Sequence, residues 1–102
     1  MSLNNPLQND NTFDDGYVTS VVTVGTSQVE AKAGGSILNG RELIMIQNKS
    51  NNTVYYGPNG VTITTGIPIK KNQFVSIPIS DKISVFLIAG SAGNDVIVQE
   101  LG

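Results

Sequence analysis

The chain has 102 residues, 39% of them hydrophobic, a net charge of −2, and neither cysteine nor histidine. This length suits one domain with its own core, and the missing residue types exclude a disulfide framework, a thiolate site and the usual zinc ligands. The basic residues are few and scattered and no apolar run approaches the ~20 residues that span a bilayer, so we expect neither a nucleic-acid nor a membrane partner.

The first 16 residues differ from the rest of the chain. They contain four asparagines, three aspartates and no basic residue, and they lack the basic start and apolar centre of a signal peptide. With so few apolar residues they cannot form a core, so we interpret residues 1–16 as an N-terminal arm and residues 17–102 as the folded domain. We predict that the arm contacts a neighbouring molecule; a floppy terminus and an edge strand are the alternatives. The residues expected to make this contact are Leu3, Leu7, Phe13, Asp14 and Asp15.

Alternating apolar and polar residues then predict short strands separated by turn residues. Residues 61–69 are either an edge strand or an extended loop, because Pro68 cannot donate to a ladder. The sequence therefore predicts an all-β fold, an antiparallel β-sandwich or small jelly-roll-like barrel of about seven to eight strands with an extended N-terminal arm. The other predicted strands are 17–24, 29–33, 43–47, 54–56, 73–79, 82–88 and 95–101.

Two apolar runs around a polar loop, within residues 43–56, predict a central β-hairpin. Both faces of its first strand are apolar, since successive side chains point to opposite sides. A small domain with such strands has more apolar surface than one core needs, and a closed symmetric oligomer would cover it. The residues predicted for this self-association are Ile44, Ile46, Phe86 and Ile88.

Residues that could carry chemistry are sparse. The carboxylates are scattered, so we expect them on the solvated surface, and no serine has an activating base. We therefore expect no enzyme activity, no metal and no cofactor. The adjacent Tyr55 and Tyr56 should face opposite sides of a strand, one in the core and one exposed. They are possible residues for stacking against a glycan.

Several short motifs resemble small all-β structural proteins of tailed bacteriophage virions. These motifs are Leu43-Ile44-Met45-Ile46-Gln47-Asn48, Val54-Tyr55-Tyr56-Gly57, Phe74-Val75-Ser76-Ile77-Pro78-Ile79, and a final hairpin formed by residues 83–88 and 96–100. The resemblance covers about residues 17–101. It implies a non-enzymatic virion protein, made in the host cytoplasm, that serves as a capsid decoration or head-fibre component.

The same resemblance implies two kinds of partner. One is the major capsid protein or another virion protein, and the other is further copies of the chain, with a trimer favoured. The alternative interpretation is a carbohydrate-binding or adhesive β-sandwich module.

Overall fold

The computed structural model describes residues 13–102, and Leu3 and Leu7 of the predicted arm lie outside them. Residues 13–102 contain strands and no helix, and thus no helix that is long and apolar enough to cross a membrane. The strands are β1 (Tyr17–Val24), β2 (Val29–Glu30), β3 (Leu43–Asn48), β4 (Val54–Gly57), β5 (Ile67–Ile69), β6 (Phe74–Pro78), β7 (Phe86–Ala89) and β8 (Asn94–Leu101).

The strands form two four-stranded antiparallel sheets. The first sheet has the order β1-β8-β3-β6 and the second has the order β2-β7-β4-β5. The ladders join β1 to β8, β2 to β7, β3 to β6 and β4 to β5. These are the pairs that arise when one long hairpin is wrapped into two facing sheets, the eight-stranded jelly roll. The predicted all-β sandwich is confirmed.

The predicted central hairpin is wrong. Strand β3 lies inside the first sheet between β8 and β6, whereas β4 lies inside the second sheet between β7 and β5. The polar loop between them crosses from one sheet to the other. The expected final hairpin is absent for the same reason, since β7 and β8 belong to different sheets. Polar residues between two apolar runs indicate a change of direction, but a hairpin turn and a crossing between sheets have the same composition.

The core lies between the inner faces of the two sheets. Alternate residues of β3 and β8 point inward, and Ile44, Ile46, Val96 and Val98 are fully buried there. Leu87 of the second sheet closes the opposite side. Burying a large aliphatic side chain contributes roughly 1.5–3 kcal/mol, so these inward rows stabilise the packing of the two sheets.

A buried ion pair closes one end of the sandwich. Gly40 adopts a φ of +79°, a value that favours glycine, and the chain turns there directly into Arg41. The Arg41 Nη1 atom lies 2.8 Å from Glu100 Oε2, and both side chains are fully buried. The prediction that all carboxylates lie on the solvated surface is therefore wrong for Glu100. Its position was visible in the sequence, because Glu100 continues the inward alternation of Val96 and Val98.

Each partner of this pair also holds a loop. The Arg41 Nη2 group donates to the carbonyl oxygens of Ser80 and Ile83, at 2.9 and 2.6 Å. The Glu100 carboxylate accepts hydrogen bonds from the backbone N–H groups of Ala33 and Leu38. The pair thus fixes the β2–β3 and β6–β7 connections against β8.

Buried asparagines close the other end. The Asn48 amide donates to the carbonyl oxygens of Asn52 and Ile69, at 2.7 and 2.8 Å. Asn94 donates to the Val24 carbonyl oxygen and accepts from the Asn52 side chain. These bonds hold the β3–β4 loop in place of the hairpin bonds that the sequence predicted.

Candidate interaction surface

The outward-facing side of the first sheet, called here the outer face, is largely apolar. Its rows run across all four strands. One row joins Val21, Ile97, Gln47 and Phe74 in register. Among the outward side chains of this sheet, Asp95 alone is charged, and it lies at the margin beside Thr23. The Thr23 hydroxyl donates a hydrogen bond to Asp95 Oδ1 at 2.8 Å. The remaining outward residues are Tyr17, Thr19, Leu43, Met45, Ser76, Pro78, Gln99 and Leu101.

Several of these side chains are strongly exposed. The exposed fractions are 64% for Tyr17, 61% for Val21 and 60% for Phe74. Phe74 lines a shallow cleft of about 240 Å³ together with Met45 and Ile97. Interfaces are depleted of charged residues at their centre and enriched in aromatic residues and methionine. The outer face has this composition, which makes it the candidate functional site.

The self-association residues predicted on β3 are misplaced. Ile44 and Ile46 are 0% exposed and belong to the core, so they cannot contribute to a surface of the folded domain. Leu43 and Met45 point outward instead. The sequence showed that both faces of β3 are apolar, but only the pairing with β6 and β8 decides which face is inner.

Phe86 and Ile88 point outward from the second sheet. They are half-buried and alternate with the buried residues Leu87 and Ala89. Because they lie on the second sheet, they are separate from the outer face of the first sheet. The structure therefore does not bring the four predicted self-association residues together.

The described part of the arm already contacts the domain. Phe13 is 41% exposed, and Asp14 and Asp15 are exposed. The backbone N–H groups of Asp15 and Gly16 donate to the Gly102 carbonyl oxygen at 2.8 and 3.1 Å. Ordered pairing thus begins at Asp15, just before the predicted boundary. This leaves Phe13 and Asp14 as the described arm residues free of the ladder.

The two tyrosines lie on opposite sides of β4, as expected. Tyr56 packs against the core. Tyr55 points outward from the second sheet, opposite Ile88 on one neighbouring strand and Pro68 on the other. Both side chains are half-buried. Of the two tyrosines, Tyr55 is therefore the one whose ring is available for stacking, and it is flanked by two apolar residues.

No group of three or more carboxylate side chains in residues 13–102 is placed to hold a metal ion. The clearest electrostatic feature is Glu30 at the edge of the second sheet. A hydrogen bond with Ser84 and the ion pair with Lys32, at 3.2 Å, hold the pKa of Glu30 below its ordinary value although partial burial opposes this. Glu30 is therefore a stabilising surface carboxylate rather than a proton donor near neutral pH.

Comparison with known proteins adds no family to these observations. No model of a known protein family and no curated protein sequence matches the chain. The outer face is consequently interpreted from its own composition and geometry.

Proposed function

We propose that the chain is a non-enzymatic structural protein of a bacteriophage virion, a capsid decoration or head-fibre component made in the host cytoplasm. It attaches through the outer face of its first sheet to the major capsid protein or another virion protein, and it self-associates. The observation that supports the proposal best is the nearly uncharged outer face, to which all four strands of that sheet contribute apolar side chains.

The energetics favour covering this surface. Fully burying one large apolar side chain is worth roughly 1.5–3 kcal/mol. Tyr17, Val21 and Phe74 are each about 60% exposed and would bury most of that area against a partner. A monomer leaves this apolar surface exposed to water. Binding of a partner removes the surface from water and thereby lowers the free energy. The absence of lysine and arginine from this face favours an apolar protein surface over a nucleic acid.

The architecture supports the proposal by analogy. Jelly rolls are frequent among viral capsid domains and also among lectins. Since one fold hosts many functions, this analogy agrees with a virion protein and equally with a carbohydrate-binding module. The composition of the outer face favours the virion protein.

The test is co-sedimentation of the purified protein with virions that lack it. Phe74→Asp places a charge on the outer face, beside the cleft that Phe74 lines with Met45 and Ile97, and should abolish attachment. Ile63→Asp is the matched control, because Ile63 is 50% exposed in the β4–β5 loop and lies off the first sheet. Equal attachment of the two variants would overturn the assignment of this face, provided that both melt like the wild type.

One observation favours the alternative of a carbohydrate-binding module. Tyr55 presents its ring between Ile88 and Pro68 on the outer side of the second sheet, and aromatic rings with a polar end suit binding sites that are partly apolar. On a glycan array, binding that is lost in Tyr55→Ala and retained in Phe74→Asp would favour this function. Tyr56→Ala is a poor probe because Tyr56 packs against the core.

A further inference from the structure

Strand β1 is an open edge of the first sheet. It pairs with β8 over all eight of its residues. Gly16 and Gly102 exchange both backbone hydrogen bonds at the start of this ladder. Because hydrogen-bonded and non-hydrogen-bonded pairs alternate along an antiparallel ladder, the N–H and C=O groups of Tyr17, Thr19, Val21 and Thr23 point away from β8. Within residues 13–102, no backbone group bonds to that free edge.

The other three edges are protected, whereas β1 is not. Strand β2 has two residues, β5 has three and contains Pro68, and β6 has five and contains Pro78. Very short strands and prolines are common means of preventing an edge from pairing with another chain. Strand β1 has eight residues without a charge, a proline or a glycine, and its register with β8 has no bulge. An edge of this kind is a template for a further strand.

Because β1 carries no charge, a second copy of the same strand can pair with it without repulsion. We propose that two copies join their β1 strands antiparallel about a two-fold axis at Ser20, which merges the two first sheets into one sheet of eight strands. In this register Tyr17 lies opposite Thr23 of the second copy, and Thr19 lies opposite Val21. All four free-edge residues then gain partners in both copies. No like charges meet, because β1 carries none.

The pairing makes the attachment surface larger. Side chains of the free-edge residues lie on the outer face, so the outer faces of both copies become one apolar surface that crosses the two-fold axis. The inference thus deepens the self-association part of the proposed function and rests on it, but not on the identity of the particle. An isologous pair closes on itself, since each copy uses the same edge once. The oligomer is therefore a dimer, in place of the trimer that the resemblance favours.

Disulfide cross-linking tests the register. Directly opposed residues of a non-hydrogen-bonded antiparallel pair have Cα atoms about 4.5 Å apart, within the range that a disulfide can bridge. In the proposed dimer the two Ser20 residues form such a pair, and the chain contains no cysteine that would interfere. Ser20→Cys should give mostly covalent dimer under mild oxidation. Ser76→Cys, a serine on the opposite edge strand of the same sheet, is the matched control and should stay monomeric under denaturing conditions.

A proline substitution tests the free edge without a new side-chain charge. The Thr19 N–H points away from β8, so Thr19→Pro removes one donor from the free edge and none from the β1–β8 ladder. Edge strands β5 and β6 already contain prolines, so we expect the domain to keep its fold with a proline in edge strand β1. Circular dichroism and the melting temperature test this expectation. Sedimentation equilibrium at about 100 μM should give a dimer for the wild type and a monomer for Thr19→Pro, with a dissociation constant raised at least about tenfold.

Three results would overturn the inference. They are a wild-type monomer or trimer at that concentration, equal cross-linking of the two cysteine variants, or an unchanged dimer in a folded Thr19→Pro protein. All of these measurements use the purified protein without particles. Failure of the dimer is therefore separable from failure of attachment to virions.

Discussion

Removing one partner of the Arg41–Glu100 pair should destabilise the domain severely. Arg41→Met keeps an unbranched side chain as far as the position of Nε but deletes the rest of the guanidinium group. It removes the 2.8 Å contact with Glu100 and the two hydrogen bonds to the carbonyl oxygens of Ser80 and Ile83. The Glu100 carboxylate stays fully buried, with no cation beside it.

The magnitude follows from the cost of an uncompensated buried charge. Breaking a buried pair by removing one partner costs about 3–5 kcal/mol. The free energy of unfolding of a whole domain is roughly 5–15 kcal/mol, so the variant loses a large part of its stability. One kcal/mol corresponds to about 4–8 °C in melting temperature at this length. The expected drop is at least about 12 °C.

Urea unfolding at pH 7 and calorimetry measure this change. Lys32→Met is the matched control, because the Lys32–Glu30 pair is partly exposed, and its loss should cost at most about 1 kcal/mol. The double variant Arg41→Met with Glu100→Leu should recover much of the loss, since it leaves no buried charge. A cost below about 1 kcal/mol for Arg41→Met would show that Glu100 is not left as an uncompensated buried charge. A double variant that is no more stable than the single one would show the same.

Three further predictions concern other parts of the molecule. Asn48→Ala should cost about 1–3 kcal/mol in urea unfolding, because it leaves buried carbonyl groups without their donor, while the exposed Asn51→Ala should change stability by less than about 0.5 kcal/mol. The lowered pKa of Glu30 gives stability that is present above the ordinary pKa of a glutamate and is lost as the pH falls through the folded-state pKa. Glu30→Gln should therefore flatten the acid side of the melting curve against pH, and an unchanged curve would contradict this. Deleting residues 1–12 should leave the melting temperature almost unchanged and weaken co-sedimentation with virions, whereas full attachment would show that these residues are a passive tail.

Local patterns in the sequence predicted the strands better than their partners. Alternation identified β1 with the observed bounds, Tyr17 to Val24. The strand expected at 82–88 begins only at Phe86, because the chain before it forms the loop whose Ile83 carbonyl oxygen binds Arg41. That loop depends on Arg41, which is far away in the sequence, so no local sequence pattern predicts the loop.

The candidate site could not be located without knowing the register of the strands in the first sheet. Leu43 and Ile44 look equivalent in sequence, and the self-association prediction chose the buried one of the two. The outer face joins residues of β1, β3, β6 and β8, which are distant along the chain. Only the order of strands in the first sheet brings Val21 and Phe74 into one row.

The proposed attachment to a virion can be measured in a binding titration with virions that lack this protein. The purified wild-type chain is added at increasing concentration, and the pelleted protein is quantified per particle. The pelleted protein should saturate at a fixed copy number, as expected for binding to repeated sites on a symmetric shell. An absence of protein in the pellet at all concentrations, with the same virions binding a known virion protein, would contradict it.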